Sequence, residues 1–143
     1  MTSYQSSAIF KLSLEKEHIK GAKRLPKNIE MNTEILPNAN RAKVEREKII
    51  EYLLCESHPD GRAKAAFFAR YGFRVEQWEI LAESLRRHGM VNPVVKTVRS
   101  EYGVSYCVEG PIETPGGFKP TIRTIWIIEE KASEPRLITA YPV

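Results

Sequence analysis

The chain has 143 residues, of which 42% are hydrophobic and 28% are charged, and its net charge is +4 at pH 7. This length predicts one domain with a core of moderate size and argues against a second large domain. No apolar run approaches the roughly 20 residues that cross a bilayer, and the N-terminus lacks a signal-peptide pattern. We therefore expect a cytoplasmic protein that has no membrane partner.

Charge and cysteine content narrow the class of protein only slightly. Residues 1–100 carry a net charge of +6, whereas residues 101–143 carry −2. A basic surplus is compatible with a nucleic-acid partner, but +4 is ordinary for a small domain. Cys55 and Cys107 lie in apolar segments without metal-ligand spacing, so we expect both to be packed free thiols.

The first 35 residues are interpreted as an N-terminal arm. Residues 1–35 are polar and basic, and only the stretch "AIFKLSL" alternates apolar and polar side chains. Such a stretch predicts an edge strand, which is a template for pairing with a sheet or with another chain, including a second copy of this one. Residues 36–143 are expected to form the single domain.

Three helices are predicted in the first half of that domain. The first begins near Ala42 behind a cap at Asn40 and is stopped by the turn "ESHPDG". The second has Pro59 and Asp60 in its first turn and ends at Gly72. The third ends at Gly89, and its apolar residues recur at i, i+3, i+4 and i+7. The residues of this apolar face are Val75, Trp78, Leu81, Ala82 and Leu85. The third helix must therefore pack on another element.

Beyond Asn92 the period of the pattern changes from 3.6 to 2. Four segments there are rich in valine, isoleucine, threonine and tyrosine: "PVVKTVRS", "GVSYCVEG", "TIRTIWIIEE" and "RLITAYPV". Their connections are too short for crossover helices, which predicts an antiparallel meander. The expected fold class is α+β, with N-terminal helices followed by a four-stranded antiparallel sheet, one face of which receives Trp78, Leu81 and Leu85.

The last two strands carry polar side chains where a purely structural strand pair needs none. Thr139 and Tyr141 share one face of the last strand, whereas Arg123 and Thr124 lie on opposite faces of the strand before it. Depending on the register, Thr139 and Tyr141 meet either Arg123 or Thr124. The resulting cluster is either a surface with good β propensity and no function, or the lining of a binding cleft.

A second polar stretch, "SHPDGRAKAAFF", surrounds the start of the second helix. The proline after His58 keeps this residue out of the helical region, so its side chain is presented by a loop. Arg62 and Lys64 follow near a helix N-terminus, which favours an anion such as phosphate. The alternative is an exposed loop histidine with solvated charges. No functional role is expected for His18 or His88.

The chain lacks the strong catalytic signatures. It contains no glycine-rich phosphate loop, nucleophile elbow, zinc-protease motif or pair of carboxylates at fixed spacing. No cofactor and no metal site are therefore expected.

Four stretches, taken in order, resemble the bacterial domain of unknown function family 6883 over about residues 35–142. They are "ILPNANRAKVEREKIIEYLL", "HPDGRAKAAFFARYGF", "YGVSYCVEGPIETPGG" and the pair "RTIWIIEE" and "PRLITAYP". That family implies no activity. Its order of elements is similar to that of ribonuclease toxins of the barnase, EndoU, colicin and RelE-like class, which is an analogy of fold.

This resemblance implies a toxin that cuts RNA without a metal ion and is neutralised by a separate small antitoxin or immunity protein. His58 would then act as base or acid, and Lys64 and Arg123 would hold the phosphate. Thr139 would donate a hydrogen bond to a phosphate oxygen, and Tyr141 would stack on a base or supply a hydroxyl group. The further substrate contacts would be Arg62 and Thr124.

A second hypothesis also fits the sequence. The same sheet face and the basic arm would serve a non-catalytic interaction module that binds protein or nucleic acid. Convergence of His58, Lys64 and Arg123 would favour the enzyme, because an interaction module does not need these three groups together.

Overall fold

The computed structural model describes residues 34–143, which form three helices followed by a four-stranded antiparallel sheet. The helices are α1 (Arg46–Lys48, continuing as the π-helical turn Ile49–Leu53), α2 (Arg62–Arg70) and α3 (Trp78–Val91). The strands are β1 (Val94–Ser100), β2 (Gly103–Pro111), β3 (Thr121–Glu129) and β4 (Arg136–Pro142). The predicted α+β class is confirmed.

Residues 1–33 lie outside the described residues. The predicted arm, its "AIFKLSL" strand and association through that strand therefore stay predictions, as does the domain boundary near residue 35. None of the helices in residues 34–143 has the length and the apolar character needed to cross a membrane.

The strands are arranged in their sequence order, as a meander predicts. In the ladder between β3 and β4, Tyr141 lies opposite Arg123 and Thr139 lies opposite Ile125. This register resolves the alternative that the sequence leaves open, because residues opposite each other share a sheet face. Thr124 points to the other face.

The helices and the sheet enclose the main hydrophobic core. On α3, Leu81 and Leu85 are fully buried against residues that include Trp126 of β3. Burying each leucine contributes about 1.5–3 kcal/mol, which explains why the apolar stripe of α3 determines its orientation. Trp78 is only partly buried and packs on the edge of this core, with the guanidinium carbon of Arg46 6.0 Å from its ring centre.

The C-terminal end of α3 differs from the expectation. The helix continues through Gly89 to Val91, so Gly89 is not its cap. A Cβ atom at Gly89 would lie 3.0 Å from Cζ2 of Trp126. Glycine is therefore needed at this position for the close approach of α3 to the sheet, rather than for ending the helix.

The predicted start of the first helix near Ala42, with a cap at Asn40, is wrong. The backbone is extended here because Lys43 pairs with the outer edge of β4. The Lys43 N–H donates to the Pro135 carbonyl at 2.8 Å, and the Leu137 N–H donates to the Lys43 carbonyl at 3.0 Å. Strand pairing, and not a helix, thus satisfies the backbone N–H and carbonyl groups of Lys43. The helix α1 consequently begins only after this segment, beside the edge of β4.

Candidate functional site

Polar and cationic side chains from three elements surround Tyr52 of α1. The Tyr52 hydroxyl lies 3.1 Å from Thr139 Oγ1 on β4, and the His58 ring stands edge-on at 5.0 Å between ring centres. The Nζ atoms of Lys48 and Lys64 lie 5.3 and 5.6 Å from the centre of the Tyr52 ring. We call these five residues the Tyr52 cluster.

Local backbone geometry brings the cluster together. Tyr52 belongs to a π-helical turn, in which the Leu54 N–H donates to the Ile49 carbonyl at 2.8 Å. Turns of this kind occur frequently at functional sites. A Cβ atom at Gly61 would collide with the Tyr52 carbonyl oxygen, so glycine allows the loop that carries His58 to close onto α1.

The His58 ring is oriented by its own loop. The backbone N–H groups of Asp60 and Gly61 donate to His58 Nδ1 at 2.9 and 3.1 Å. Because Nδ1 accepts these hydrogen bonds, the neutral ring carries its proton on Nε2. In this conformation His58 therefore offers a donor, and not a proton acceptor, through its outer nitrogen.

Lys64 is a buried cation for which the described part of the chain supplies no anionic partner. Its side chain is only 7% exposed, and its Nζ donates to the Asp60 carbonyl at 3.3 Å. No carboxylate among residues 34–143 forms an ion pair with it. A buried charge without a counter-charge is destabilising, so an anionic ligand at this position would offset the cost of burial.

Lys48 adds a second amino group with unusual surroundings. Burial, followed by the positive charge of Arg136, lowers the Lys48 pKa to about 8, and the Glu45 carboxylate opposes this shift. Arg136 itself donates to Glu129 Oε2 at 3.0 Å. Lys48 therefore loses its proton much more readily than an ordinary lysine.

Thr139 of the Tyr52 cluster lies opposite Ile125, on the sheet face turned away from α3, which we call the second face. A β-bulge opposite Ile125 precedes Thr139, and bulges commonly re-aim side chains beside functional sites. Tyr141 lies two residues further along β4, directly opposite Arg123. Thr139, Tyr141 and Arg123 thus share the second face, as the ladder requires.

Arg123 is held by a neighbouring strand. Its Nε donates to Glu109 Oε1 at 2.9 Å. Burial opposes the charged form of Arg123, but the hydrogen bond and the charge of Glu109 outweigh burial and raise its pKa. The sequence-predicted residues therefore form two adjacent groups. His58, Lys64 and Thr139 meet at Tyr52, whereas Arg123 and Tyr141 form the next cross-strand pair.

Thr124 does not lie in this site. It is fully buried on the face packed by α3, where it accepts from Trp126 Nε1 at 2.8 Å and lies 3.0 Å from His88 Nδ1. His88 Nε2 lies 3.0 Å from the Gly110 carbonyl, which can only accept. His88 must therefore donate there and accept from the Thr124 hydroxyl. Thr124 therefore lies on the sheet face opposite that of Arg123 and Thr139, and its role as a substrate contact stays a prediction.

The remaining sequence predictions concern Arg62, His88 and the cysteines. Arg62 is exposed at the first residue of α2, and its role as a substrate contact stays a prediction. The structural interpretation of His88 fits its enclosed network. Both cysteines are free, but only Cys107 is packed in the interior as expected, whereas Cys55 is partly exposed. Burial raises the pKa of the Cys107 thiol to about 12.

Any positive charge that residues 34–143 contribute to binding an anionic ligand comes from lysine and arginine side chains. Within these residues, no group of three or more His, Cys, Asp or Glu side chains is arranged to hold a metal ion.

The comparison with protein families identifies the chain. The model of the family described as "Domain of unknown function (DUF6883)" matches residues 35–143. The chain belongs to the DUF6883 family. The resemblance seen in the four sequence stretches is thereby confirmed.

A solved structure is similar to this DUF6883 chain in fold. It is a chain of a contact-dependent growth inhibition toxin–immunity protein complex from Klebsiella pneumoniae 342, with a TM-score of 0.57 and 20% sequence identity. The match covers 73% of the DUF6883 chain and 96% of the other chain. At this identity the likeness establishes a common fold and nothing finer. No curated protein matches the DUF6883 chain at a significant level.

Two members of the Tyr52 cluster in this DUF6883 chain escape prediction from sequence. Tyr52 follows Ile49 on the apolar stripe of α1, so its spacing indicates only a core residue. Lys48 resembles any solvated lysine of a charged helix face. Tyr52 and Lys48 can be recognised as site residues only in the folded structure, because their neighbours come from β4 and the His58 loop, which pack against α1.

Proposed function

We propose that this DUF6883 protein is a ribonuclease toxin of a bacterial toxin–antitoxin or polymorphic toxin system, cleaving RNA in the cytoplasm without a metal ion. Its neutralising partner would be a small antitoxin or immunity protein. The observation that carries the proposal is the buried ammonium of Lys64, which pairs with no carboxylate of residues 34–143. It lies over the ring of Tyr52, the residue that His58 and Thr139 also contact.

The chemistry of this cluster suits a phosphodiester. Lys64 supplies positive charge at a position from which water is largely excluded, where electrostatic stabilisation is strong. The Thr139 hydroxyl and the N–H at Nε2 of His58 add donors, and neither of them requires a metal ion. A phosphate held here would gain hydrogen bonds from groups that the fold already orients.

RNA is the substrate class that such a site can cleave most simply. Its ribose 2′-hydroxyl is an internal nucleophile, so the protein has to supply only proton transfer, orientation and charge stabilisation. Arg123 lies further along the second face, where its guanidinium would hold a neighbouring phosphate, and Tyr141 opposite it would stack on a base. The two adjacent groups of residues then serve successive positions of one strand.

The fold comparison supports the toxin part of this proposal. The similar chain comes from a complex between a growth inhibition toxin and its immunity protein. A protein that degrades RNA inside the cell that makes it would require such a neutralising partner, which agrees with the proposed immunity protein.

The test compares two charge-matched variants of α2. Lys64→Met removes the buried ammonium, whereas Arg70→Met removes an exposed charge from the C-terminal end of the same helix. Purified proteins are incubated with end-labelled RNA, with and without EDTA, and the products are examined for a 2′,3′-cyclic phosphate. We expect Lys64→Met to lower the cleavage rate by about 100-fold or more, the usual effect of losing one preorganised donor. Arg70→Met should cleave within a few-fold of the wild type.

Growth of bacteria that express the protein provides the cellular counterpart. Wild-type protein should arrest growth, and His58→Ala should relieve the arrest while remaining folded by circular dichroism. Intact RNA after incubation with wild-type protein would refute the ribonuclease proposal. RNA that is bound but not cleaved would instead support the non-catalytic interaction module.

A further inference from the structure

We infer that Lys48 is the general base of this site, which accepts the proton of the ribose 2′-hydroxyl. The inference rests on the proposed ribonuclease function and adds a catalytic residue to it. Transphosphorylation requires a proton acceptor, because a group must remove the 2′-hydroxyl proton before the 2′-oxygen can attack phosphorus.

His58 is poorly arranged for that task. Its Nδ1 lone pair already accepts from the N–H groups of Asp60 and Gly61, and its Nε2 carries the proton of the neutral ring. Accepting a proton would require the ring to give up both loop hydrogen bonds or to exchange its tautomer. In this geometry His58 is a hydrogen-bond donor to the substrate.

Lys48 has the surroundings that a proton acceptor requires. Its Nζ lies over the ring of Tyr52, the same ring that Lys64 approaches. The charged groups around Lys48 are Arg136 on β4, which disfavours the ammonium form, and Glu45 at the start of its own helix, which favours it. Burial and Arg136 prevail and lower the Lys48 pKa to about 8, so the neutral amine is well populated near physiological pH.

The proton and electron balance is complete with the groups present. The neutral Lys48 amine takes the 2′-hydroxyl proton while the 2′-oxygen forms its bond to phosphorus. The bond from phosphorus to the 5′-oxygen breaks, and the ammonium of Lys64 gives a proton to that leaving oxygen. The products are a 2′,3′-cyclic phosphate and a 5′-hydroxyl. Exchange with water then returns Lys48 to the neutral form and Lys64 to the charged form.

The decisive variant is Lys48→Arg, because it separates the two roles that a lysine has at a phosphate site. Arginine keeps the positive charge but cannot act as a base near neutral pH. If Lys48 is the base, kcat/KM of the wild type rises with pH and levels off above about pH 8, and Lys48→Arg loses about 100- to 10,000-fold with no such rise. If Lys48 only attracts phosphate, Lys48→Arg stays active, and the wild-type rate falls above about pH 8.

Two further measurements test the role of Lys48. Labelling of lysine amines with acetic anhydride between pH 6 and 10, read by mass spectrometry, should show Lys48 reacting with a midpoint near 8. Binding of a non-cleavable RNA with 2′-deoxyribose at the scissile position should be unchanged in folded Lys48→Arg. An active Lys48→Arg enzyme with the wild-type pH profile overturns the Lys48 assignment alone. A wild-type protein that cleaves no RNA at any pH overturns the ribonuclease proposal, and this assignment with it.

Discussion

The buried histidine of α3 should make the fold sensitive to mild acid. His88 donates from Nε2 to the Gly110 carbonyl, accepts from the Thr124 hydroxyl at Nδ1, and is 2% exposed. Burial lowers its pKa to about 4, although hydrogen bonds to the Gly110 and Ile122 carbonyls oppose the shift. Protonation would also place a donor at Nδ1, where the Thr124 hydroxyl now donates.

The sign of the effect follows from the pKa values in the two states. In the unfolded chain His88 has its ordinary pKa of about 6.5, so the unfolded state binds a proton at a pH where the folded state does not. The contribution is constant above about pH 6.5, and stability is lost as the pH falls from there towards 4. At pH 5 the loss from this one group amounts to about 2 kcal/mol, at about 1.4 kcal/mol for each pH unit.

Urea denaturation at pH 7.5 and pH 5.0 measures this loss in the wild type and in His88→Gln. His18 and His58 remain in both proteins, so their contributions cancel, and pH 5.0 stays above the ordinary range of carboxylates. The variant should be less stable at pH 7.5 by about 1–3 kcal/mol, because glutamine cannot make both hydrogen bonds. On acidification, however, the wild type should lose about 2 kcal/mol more than the variant. Equal losses in the two proteins would refute the assignment of acid sensitivity to His88.

Substitutions at three further positions test the packing that positions the site. Gly89→Ala should destabilise the fold by about 1–3 kcal/mol in urea denaturation, because its methyl group would press on Trp126; unchanged stability would mean that α3 does not need this close approach. Thr124→Val should cost about 2–5 kcal/mol, since it leaves His88 Nδ1 and Trp126 Nε1 without partners, whereas Thr124→Ser, which keeps the hydroxyl, should cost less than half as much. Leu85→Ala should lower the free energy of unfolding by about 2–5 kcal/mol, and a loss below 1 kcal/mol would contradict its central place in the core.

Much of the fold follows from periodicity alone. The apolar stripe of α3 requires a packing partner, and the change to period 2 after Asn92 supplies it in the form of short-looped antiparallel strands. The errors lie where a tertiary contact replaces a local preference. Lys43 pairs with β4 instead of continuing a helix towards its predicted start, and Gly89 serves the packing of Trp126 instead of a cap.

The candidate site was predictable only in part, for a physical reason. A polar residue in a predicted loop or strand, such as His58 or Thr139, can be recognised as a candidate from the sequence pattern alone. Tyr52 and Lys48 acquire their significance from burial and from neighbours remote in sequence, which no spacing encodes. Sequence patterns therefore indicate which polar residues are candidates for a site, whereas tertiary packing determines which of these residues lie together.

Thr124 and Thr139 show how sharply one residue of register separates structure from function. They lie at adjacent positions of the β3–β4 ladder, opposite Ala140 and Ile125 respectively, and both are almost completely buried. Because strand side chains alternate, Thr124 meets His88 and secures α3, whereas Thr139 meets Tyr52 beside Lys64. A shift of one residue in either strand alone would move the threonine of that strand to the other face, so that both would lie on the same side of the sheet. The hydrogen-bond network of the first threonine thus holds the sheet in the register that presents the second one to the proposed site.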